Sequence, residues 1–372
     1  MSLLVRGDEG DLLILEGRVA APGTPVPDDA RVVDARGLLV APGLLDLQVN
    51  GAHGVDITAE PERLWEVAAA LPAYGVTGFL PTVITSAPDA RERGLATLAA
   101  GPPHGVPPGA VPLGLHLEGP MLAPGRAGAH PGRWLASPSA ELVAGWSRAD
   151  GVTMVTLAPE LPGAVAVIEE LVARGVVVAI GHTEATTAEA LGAVAAGATC
   201  VTHLFNAMPP LHHRHPGVVG AALGGAGLTA GVIVDGHHVD EFVVRLAWRA
   251  LGPGRFLTVT DATAGLGLPP GRQRLGDQEV VVGVGDVRLA DGTLAGSAAS
   301  LDGCLRELRR ITGCGVREAL ATATSTPAAV LGDHDRGTLD PGAPGDLVLL
   351  TTDLHVVATV VGGELVHDRR GD

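Results

Sequence analysis

The sequence predicts an α/β protein, a (β/α)8 barrel of the TIM type with a small β-sandwich domain formed from both chain termini. Two patterns lead to this prediction. In the middle of the chain, short runs of almost continuous apolar residues alternate with segments of helical periodicity. At both ends, alternating Val and Leu runs are interrupted by Gly, Pro and Asp, which is typical of strands and turns. An open doubly wound sheet is the alternative architecture.

The two β-rich ends define the first predicted domain, residues 1–43 together with 335–372. Because these ends share one pattern and flank a different middle, we expect them to fold together. Residues 44–334 are the predicted catalytic barrel. Within it, residues 271–296 break the alternation and are predicted to leave the barrel as a β-hairpin.

The barrel elements follow from apolar runs that parallel strands, buried on both faces, require. The predicted strands are residues 44–49, 76–83, 111–117, 152–158, 176–181, 198–204, 228–234 and 255–260. Segments rich in Ala, Glu, Leu and Arg with helical spacing lie between most of them, at 62–73, 88–99, 162–174, 186–195 and 239–251.

Composition excludes several classes of function. A net charge of −16 argues against non-specific binding to nucleic acid or to a membrane surface. The chain contains no lysine, which rules out a Schiff-base lysine, a P-loop lysine and a carbamylated lysine bridging two metals. The three cysteines form no CxxC pair, and no long apolar run indicates a membrane span or signal peptide. We therefore expect a cytoplasmic protein.

Polar residues cluster where the predicted strands end. They are Gln48 and Asn50 after the first strand, His116 and Glu118 at the third, His182 at the fifth, His203 and Asn206 at the sixth, Asp235, His237 and His238 at the seventh, and Asp261 at the eighth. The carboxyl ends of barrel strands carry the active sites of such enzymes. Core packing gains nothing from ionisable groups, so this shared register predicts a catalytic site.

Three of these residues suit a metal ion. Glu118, His182 and His203 together offer a carboxylate and two imidazoles, a donor set that binds Zn²⁺ and leaves a position open for water. Asp261 could exchange a proton with that water and with a leaving group. Arg214, in the loop sequence HHRHPG, could grip a phosphate in a bidentate manner.

The motifs together resemble the N-acetylglucosamine-6-phosphate deacetylase family of the amidohydrolase superfamily. The matching stretches are PGLLDLQVNG, GLHLEGPML, GAHP, IGHTEA, VTHLFNAMPPLHHRHPG, VDGHHVD, TDATAG and LAGS, in order along the whole chain. The resemblance implies a cytoplasmic, linear-amide hydrolase that removes the N-acetyl group of N-acetylglucosamine 6-phosphate. It also implies a homodimer in which Arg214 reaches the partner's site, and one divalent metal per subunit, with Zn²⁺ expected before Fe²⁺, Mn²⁺ or Co²⁺.

The resemblance also assigns roles to individual residues. It implies Glu118, His182 and His203 as metal ligands and Asp261 as the catalytic acid and base, with His130 helping to stabilise the oxyanion. The implied substrate contacts are Ala129, His130, Asn206, Ala207, Arg214, Asp235, Gly236, His237, His238, Leu294, Ala295 and Gly296.

The amides Gln48 and Asn50 stand where two-metal members of the superfamily carry an HxH pair. An amide is a poor substitute for imidazole as a transition-metal ligand. We therefore expect a vacant second-metal position, with both amides bonding water or packing beside it. Two alternative functions are deacetylation of N-acetylgalactosamine 6-phosphate or another N-acyl amine, and a metal-free binding barrel.

Overall fold

The computed structural model describes residues 2–275, 278–283, 285–289, 292 and 294–371. Eight parallel strands form the central barrel: Leu44–Val49, Val76–Ile84, Leu115–Glu118, Val152–Leu157, Val177–Ile180, Cys200–Val201, Thr229–Ile233 and Phe256–Val259. Each strand pairs with the next in chain order. The predicted barrel is confirmed, and every strand overlaps the run that predicted it.

The barrel closes at a seam between its first and last strands, where side chains supplement a short backbone bridge. The backbone N–H of Asn50 donates to the carbonyl of Ala262 at 2.7 Å. One residue layer below, the Thr260 hydroxyl donates to the buried carboxyl of Asp46 at 2.6 Å. Burial raises the pKa of Asp46 to about 7. The seam therefore joins the strand that carries the two amides to the strand that leads to Asp261.

Helices surround the barrel and bury their apolar faces against it. The α-helices are Leu64–Ala70, Pro88–Ala100, Ala164–Ala173, Thr187–Ala195, Gly217–Leu223, Glu241–Leu251, Leu301–Thr312, Val316–Ala321 and Ser325–Leu331. The 3-10 turns are Pro61–Arg63, Leu71–Tyr74, Pro124–Arg126 and Gly132–Trp134. The main core lies between the two layers, where strand residues such as Val155 and Val232 meet helix residues such as Ile168 and Leu305.

The third strand is followed by no α-helix. Residues 119–151 contain only two short 3-10 turns, at Pro124–Arg126 and Gly132–Trp134. The segment is rich in Pro and Gly, which interrupt helices by removing N–H donors and by adding backbone freedom. This irregular segment folds back over the barrel and delivers His130 to its carboxyl end.

Two four-stranded sheets combine both ends of the chain. One contains Ser2–Gly7, Gly10–Leu15, Arg18–Val19 and Arg31–Asp34, and the other contains Leu39–Pro42, Leu347–Leu350, Val356–Val361 and Glu364–Asp368. The strand at 39–42 pairs with the strand at 347–350. Side chains from both sheets, including Ile14 and Leu349, share one buried apolar cluster. The predicted sheet domain from both termini is therefore present.

The segment after the eighth strand forms a further antiparallel sheet. Its strands are Gly271–Leu275, Gln278–Val282, Asp286–Leu289 and Leu294–Ser297. The excursion predicted as a β-hairpin thus contains four strands, although residues 276, 277, 284, 290, 291 and 293 of it lie outside the described residues. The short strands Gly51–Ala52 and Val55–Asp56 form a separate hairpin, and Val111–Pro112 extends the barrel sheet at the second strand. In the part of the chain that the structure describes, we find no helix long and apolar enough to cross a membrane.

Candidate active site

Three predicted metal ligands converge at the carboxyl end of the barrel. The Glu118 Oε1 atom lies 3.1 Å from His182 Nε2 and 3.0 Å from His203 Nε2. The two imidazole nitrogens lie 3.0 Å from each other. All three side chains are almost fully buried. A carboxylate oxygen and two imidazole nitrogens that converge within 3.0–3.1 Å of one another form a site that suits a cation.

In this cluster, hydrogen bonds and burial shift the pKa values of Glu118 and His203 in opposite directions. Burial by itself raises the pKa of Glu118, but hydrogen bonds from His182 and His203 outweigh it and hold the pKa well below its usual value. Burial lowers the pKa of His203, and the hydrogen bond to Glu118 reverses the effect and raises it. The carboxylate is therefore ionised at neutral pH, and a cation placed among these atoms would relieve its desolvation.

The hydrogen bond made by Nδ1 of an imidazole determines whether its Nε2 has a lone pair for a metal. His182 Nδ1 lies 2.8 Å from the carbonyl oxygen of Arg126, which can only accept a hydrogen bond. The neutral ring therefore carries its proton on Nδ1, and its Nε2 lone pair points at the cluster. His203 Nδ1 is buried and has no hydrogen-bond partner within the described residues.

The backbone at the site adopts an uncommon conformation. His182, His203 and Asp261 have φ angles of 48°, 28° and 51°, which lie in the left-handed region that residues other than glycine rarely occupy. Each of them stands two residues beyond the end of its strand. Strain of this kind persists where the surrounding structure over-determines it, and it concentrates at functional sites.

His130 joins the cluster from the irregular segment after the third strand. Its Nε2 atom lies 3.8 Å from Glu118 Oε2, and its ring packs edge-on against His182 at 4.4 Å. Burial lowers the pKa of His130 to about 3, so the ring is neutral. Ligand atoms of Glu118, His130 and His182 also lie within 4.8 Å of one another. The structure thus offers both His130 and His203 as the third partner of Glu118 and His182.

The two amides donate hydrogen bonds directly to carboxylates of the candidate site. Gln48 Nε2 donates to Glu118 Oε1 at 3.2 Å, and Asn50 Nδ2 donates to Asp261 Oδ1 at 2.6 Å. Asn50 Oδ1 is buried and has no partner in the described part of the chain. Burial raises the pKa of Asp261 to about 6. Each amide therefore holds a carboxylate, which the sequence did not predict, and the expected bonding to water stays a prediction.

Several predicted substrate residues lie in the loops that follow the sixth and seventh barrel strands. The Asp235 carboxylate accepts hydrogen bonds from the backbone N–H groups of His237 and His238 and from His238 Nδ1 at 2.6 Å. The amide of Asn206 donates to the His203 carbonyl, so it braces the sixth-strand loop. Ala207 lies in that loop with a φ of 51°, and its carbonyl accepts from the backbone N–H of Thr183.

Three further predicted contacts belong to the strand Leu294–Ser297, which runs beside the end of the eighth barrel strand. The backbone N–H of Ser297 donates to the Asp261 carbonyl at 3.3 Å. Gly296 has a φ of 110°, and a Cβ there would lie 2.3 Å from the Thr263 side chain. The backbones of Leu294, Ala295 and Gly296 are thus placed next to Asp261.

Other predicted substrate residues face solvent. Gly236 and Ala129 are exposed in loops that border the site. Arg214 is exposed as well, and among the described residues no hydrogen bond or ion pair joins its guanidinium to the cluster. The predicted role of Arg214, binding phosphate in the site of a partner subunit, stays a prediction.

Two further residues support the site, and only one of them has a sequence signal. Thr85 follows the second strand and holds His130 Nδ1, through its backbone N–H at 3.2 Å and its hydroxyl at 2.9 Å. His116, whose pKa burial lowers to about 4, bonds the Leu47 carbonyl and the Thr156 hydroxyl. Thr85 carries no pattern that distinguishes it from other strand threonines, whereas the spacing of His116 from Glu118 does predict a supporting position.

Comparison with known proteins identifies the family. The sequence profile of the Amidohydrolase family matches residues 39–366. The chain belongs to this family. Its resemblance to N-acetylglucosamine-6-phosphate deacetylases is also confirmed, since that enzyme from Homo sapiens is 42% identical over 96% of this chain and 91% of its own length. The enzyme of that name from Bacillus subtilis is 35% identical over 88% of this chain and 84% of its own length.

Solved structures of amidohydrolase relatives agree. A mutant N-acetyl-D-glucosamine-6-phosphate deacetylase from Mycobacterium smegmatis, in complex with N-acetyl-D-glucosamine-6-phosphate, has a TM-score of 0.87 and 35% identity, and the match covers 99% of each chain. The N-acetylglucosamine-6-phosphate deacetylase from Pasteurella multocida also has a TM-score of 0.87, with 31% identity over 96% of this chain and 95% of that chain. The family resemblance therefore covers barrel and sheet domain together.

Proposed function

We propose that the protein is a metal-dependent deacetylase that hydrolyses the N-acetyl group of N-acetylglucosamine 6-phosphate to glucosamine 6-phosphate and acetate. The observation that carries the proposal is the convergence of Glu118, His182 and His203 at 3.0–3.1 Å. In a binding barrel without a metal, three buried ionisable groups within hydrogen-bond distance of one another would cost stability without a functional gain. The names of the amidohydrolase relatives supply the substrate.

The residues that would hold the metal are Glu118, His182 and His203. Their donor set suits Zn²⁺, and Fe²⁺, Mn²⁺ and Co²⁺ accept the same ligands. When bound, a divalent ion there lowers the pKa of a water molecule and polarises the amide carbonyl. The donor pattern assigns His182 Nε2 to the ion, since Nδ1 of that ring donates to the Arg126 carbonyl. One ion per subunit is expected, because Gln48 and Asn50 place amides, which are poor transition-metal ligands, where an HxH pair would hold a second ion.

Asp261 moves the proton during hydrolysis. Its pKa, raised to about 6, lies close enough to neutrality for the group to act first as base and then as acid. It takes the proton of the attacking water and returns it to the amine nitrogen as the C–N bond breaks. The hydrogen bond from Asn50 to Oδ1 fixes the carboxylate and leaves Oδ2 for the transfer.

His130 supplies a hydrogen bond to the acetamide oxygen. It is neutral and buried beside the cluster, so its N–H can stabilise the oxyanion that develops at the carbonyl. The loops that contain Asn206, Ala207 and Asp235 to His238 hold the sugar, with the strand Leu294–Ser297 closing over it. Arg214 binds the phosphate in the site of the partner subunit of a homodimer, which accounts for its exposure in a single chain. The dimer and the cytoplasmic location stay predictions.

The proposal is tested by metal content and acetate release on the same preparation. We expect about one divalent ion per chain and turnover of N-acetylglucosamine 6-phosphate that a chelator abolishes and added Zn²⁺ restores. Asp261→Asn should keep the metal and lose at least a hundredfold in kcat, as removal of a catalytic base does. Arg249→Gln, an exposed helix position, is the control with unchanged kcat. If the fully metallated wild type released no acetate, the assignment of N-acetylglucosamine 6-phosphate as the substrate would be refuted.

A further inference from the structure

Thr85 lies directly behind His130 and presents two polar groups to one ring nitrogen. It follows the second barrel strand, Val76–Ile84, and is 2% exposed. Its backbone N–H donates to His130 Nδ1 at 3.2 Å, and its hydroxyl oxygen lies 2.9 Å from the same atom. The hydroxyl also lies within reach of the Glu118 carbonyl, at 3.3 Å.

These contacts are compatible with one neutral form of the ring. A backbone N–H can only donate, so Nδ1 must present its lone pair and cannot carry a proton. The hydroxyl can then donate either to Nδ1 or to the Glu118 carbonyl, and every group is satisfied. In the opposite tautomer the Thr85 N–H would face an N–H group and would remain buried without a partner, which is strongly disfavoured.

We infer that Thr85 is a positioning residue that fixes His130 with its proton on Nε2, so that the ring faces the cluster as a hydrogen-bond donor. No other assignment of the ring satisfies the backbone N–H. The inference rests on the proposed function for the use of that donor, which is to bind the acetamide oxygen.

This tautomer also separates His130 from the metal ligands. A nitrogen that carries a proton has no lone pair for a metal, so His130 Nε2 cannot ligate even though it lies 3.8 Å from Glu118 Oε2. His182 shows the opposite arrangement, because its Nδ1 donates to a carbonyl and its Nε2 lone pair is free. By fixing this tautomer, the contacts of Thr85 with His130 leave His203 as the third ligand.

The first test reads the tautomer without any reaction. The zinc-loaded enzyme, labelled with ¹⁵N-histidine, is recorded by long-range ¹H–¹⁵N correlation, and His130→Gln identifies the His130 signals. We expect the unprotonated nitrogen to be the one coupled mainly to Hε1, which is Nδ1, and Nε2 to be protonated. A His130 signal with the proton on Nδ1 would overturn the inference. Because no substrate is present, this result is independent of whether the protein deacetylates the sugar.

The second test removes the hydroxyl. Thr85→Val should lower kcat about tenfold with little change in KM, because one of two groups that hold the ring is lost while the backbone N–H remains. Thr85→Ser keeps both groups and should restore wild-type kcat. Thr153→Val is the matched control, since that buried threonine on the fourth strand donates to the Leu113 carbonyl at 2.6 Å, far along the strand from the site.

Each variant is also examined by zinc-edge X-ray absorption for the number of imidazole ligands. Two imidazoles in the wild type and in Thr85→Ser support the inference, whereas three in the wild type would show that His130 ligates and would overturn it. Equal kcat for Thr85→Val and wild type would also refute it. If Thr153→Val lowered kcat as much as Thr85→Val, the loss would come from disturbed packing of the barrel, and the inference would again be refuted.

Discussion

Replacing Asn50 by leucine should separate proton transfer from metal binding. Leucine has nearly the size of asparagine but cannot donate to Asp261 Oδ1, where the present hydrogen bond is 2.6 Å long. Hydrogen bonds to charged groups contribute about 1.5–3 kcal/mol. If that bond holds Asp261 in position for the proton transfer, its loss should lower kcat by roughly tenfold to 150-fold at about 1.4 kcal/mol per factor of ten.

The metal should be unaffected, because the Asn50 side chain donates to Asp261, which is not one of the three proposed ligands. The assay is acetate release at saturating substrate, with zinc per chain measured on the same sample. Unchanged kcat in Asn50→Leu would refute the reasoning. Loss of metal in parallel with kcat would refute it differently, because it would place Asn50 on the ion.

Three further outcomes are expected. Gln48→Leu removes the bond to Glu118 Oε1 and should weaken zinc affinity about tenfold to 100-fold, measured by competition with a chelator, and unchanged affinity would contradict the supporting role. His130→Gln should lower kcat by roughly 10²–10³-fold while KM and zinc content stay near wild type, and a loss of zinc would instead make His130 a ligand. Asp46→Asn should flatten the pH dependence of the free energy of unfolding. The pKa of Asp46 is about 7 in the folded protein and 3.8 in the unfolded chain, so its protonated form stabilises the fold. In the wild type this stabilisation, up to about 4 kcal/mol, is fully present below pH 3.8 and is lost as the pH rises through 7. Urea unfolding from pH 4 to 8 checks this, and equal slopes for Asp46→Asn and wild type would exclude Asp46 as the titrating group.

The sequence alone predicted the fold and named most of the residues that meet in the candidate site. Apolar runs of strand length, alternating with helical periodicity, mark the barrel because strands buried on both faces consist mainly of apolar residues. The same physics marks the site, because ionisable residues such as Glu118 and His203, which are costly to bury, gather at the ends of those strands. The segment that follows the third strand could be predicted only in part. Its Pro and Gly content indicates that it forms no helix, but not that its path brings His130 to the carboxyl end of the barrel.

Only the tertiary structure decided how the polar residues divide their work. The sequence places Gln48 and Asn50 side by side, but the bond of one to Glu118 and of the other to Asp261 spans 70 and 211 residues. The protonated nitrogen of His130 depends on the Thr85 backbone, which has no side-chain signature. The sequence specifies which groups are available, whereas direction, tautomer and pKa depend on the neighbours that folding brings within hydrogen-bond distance.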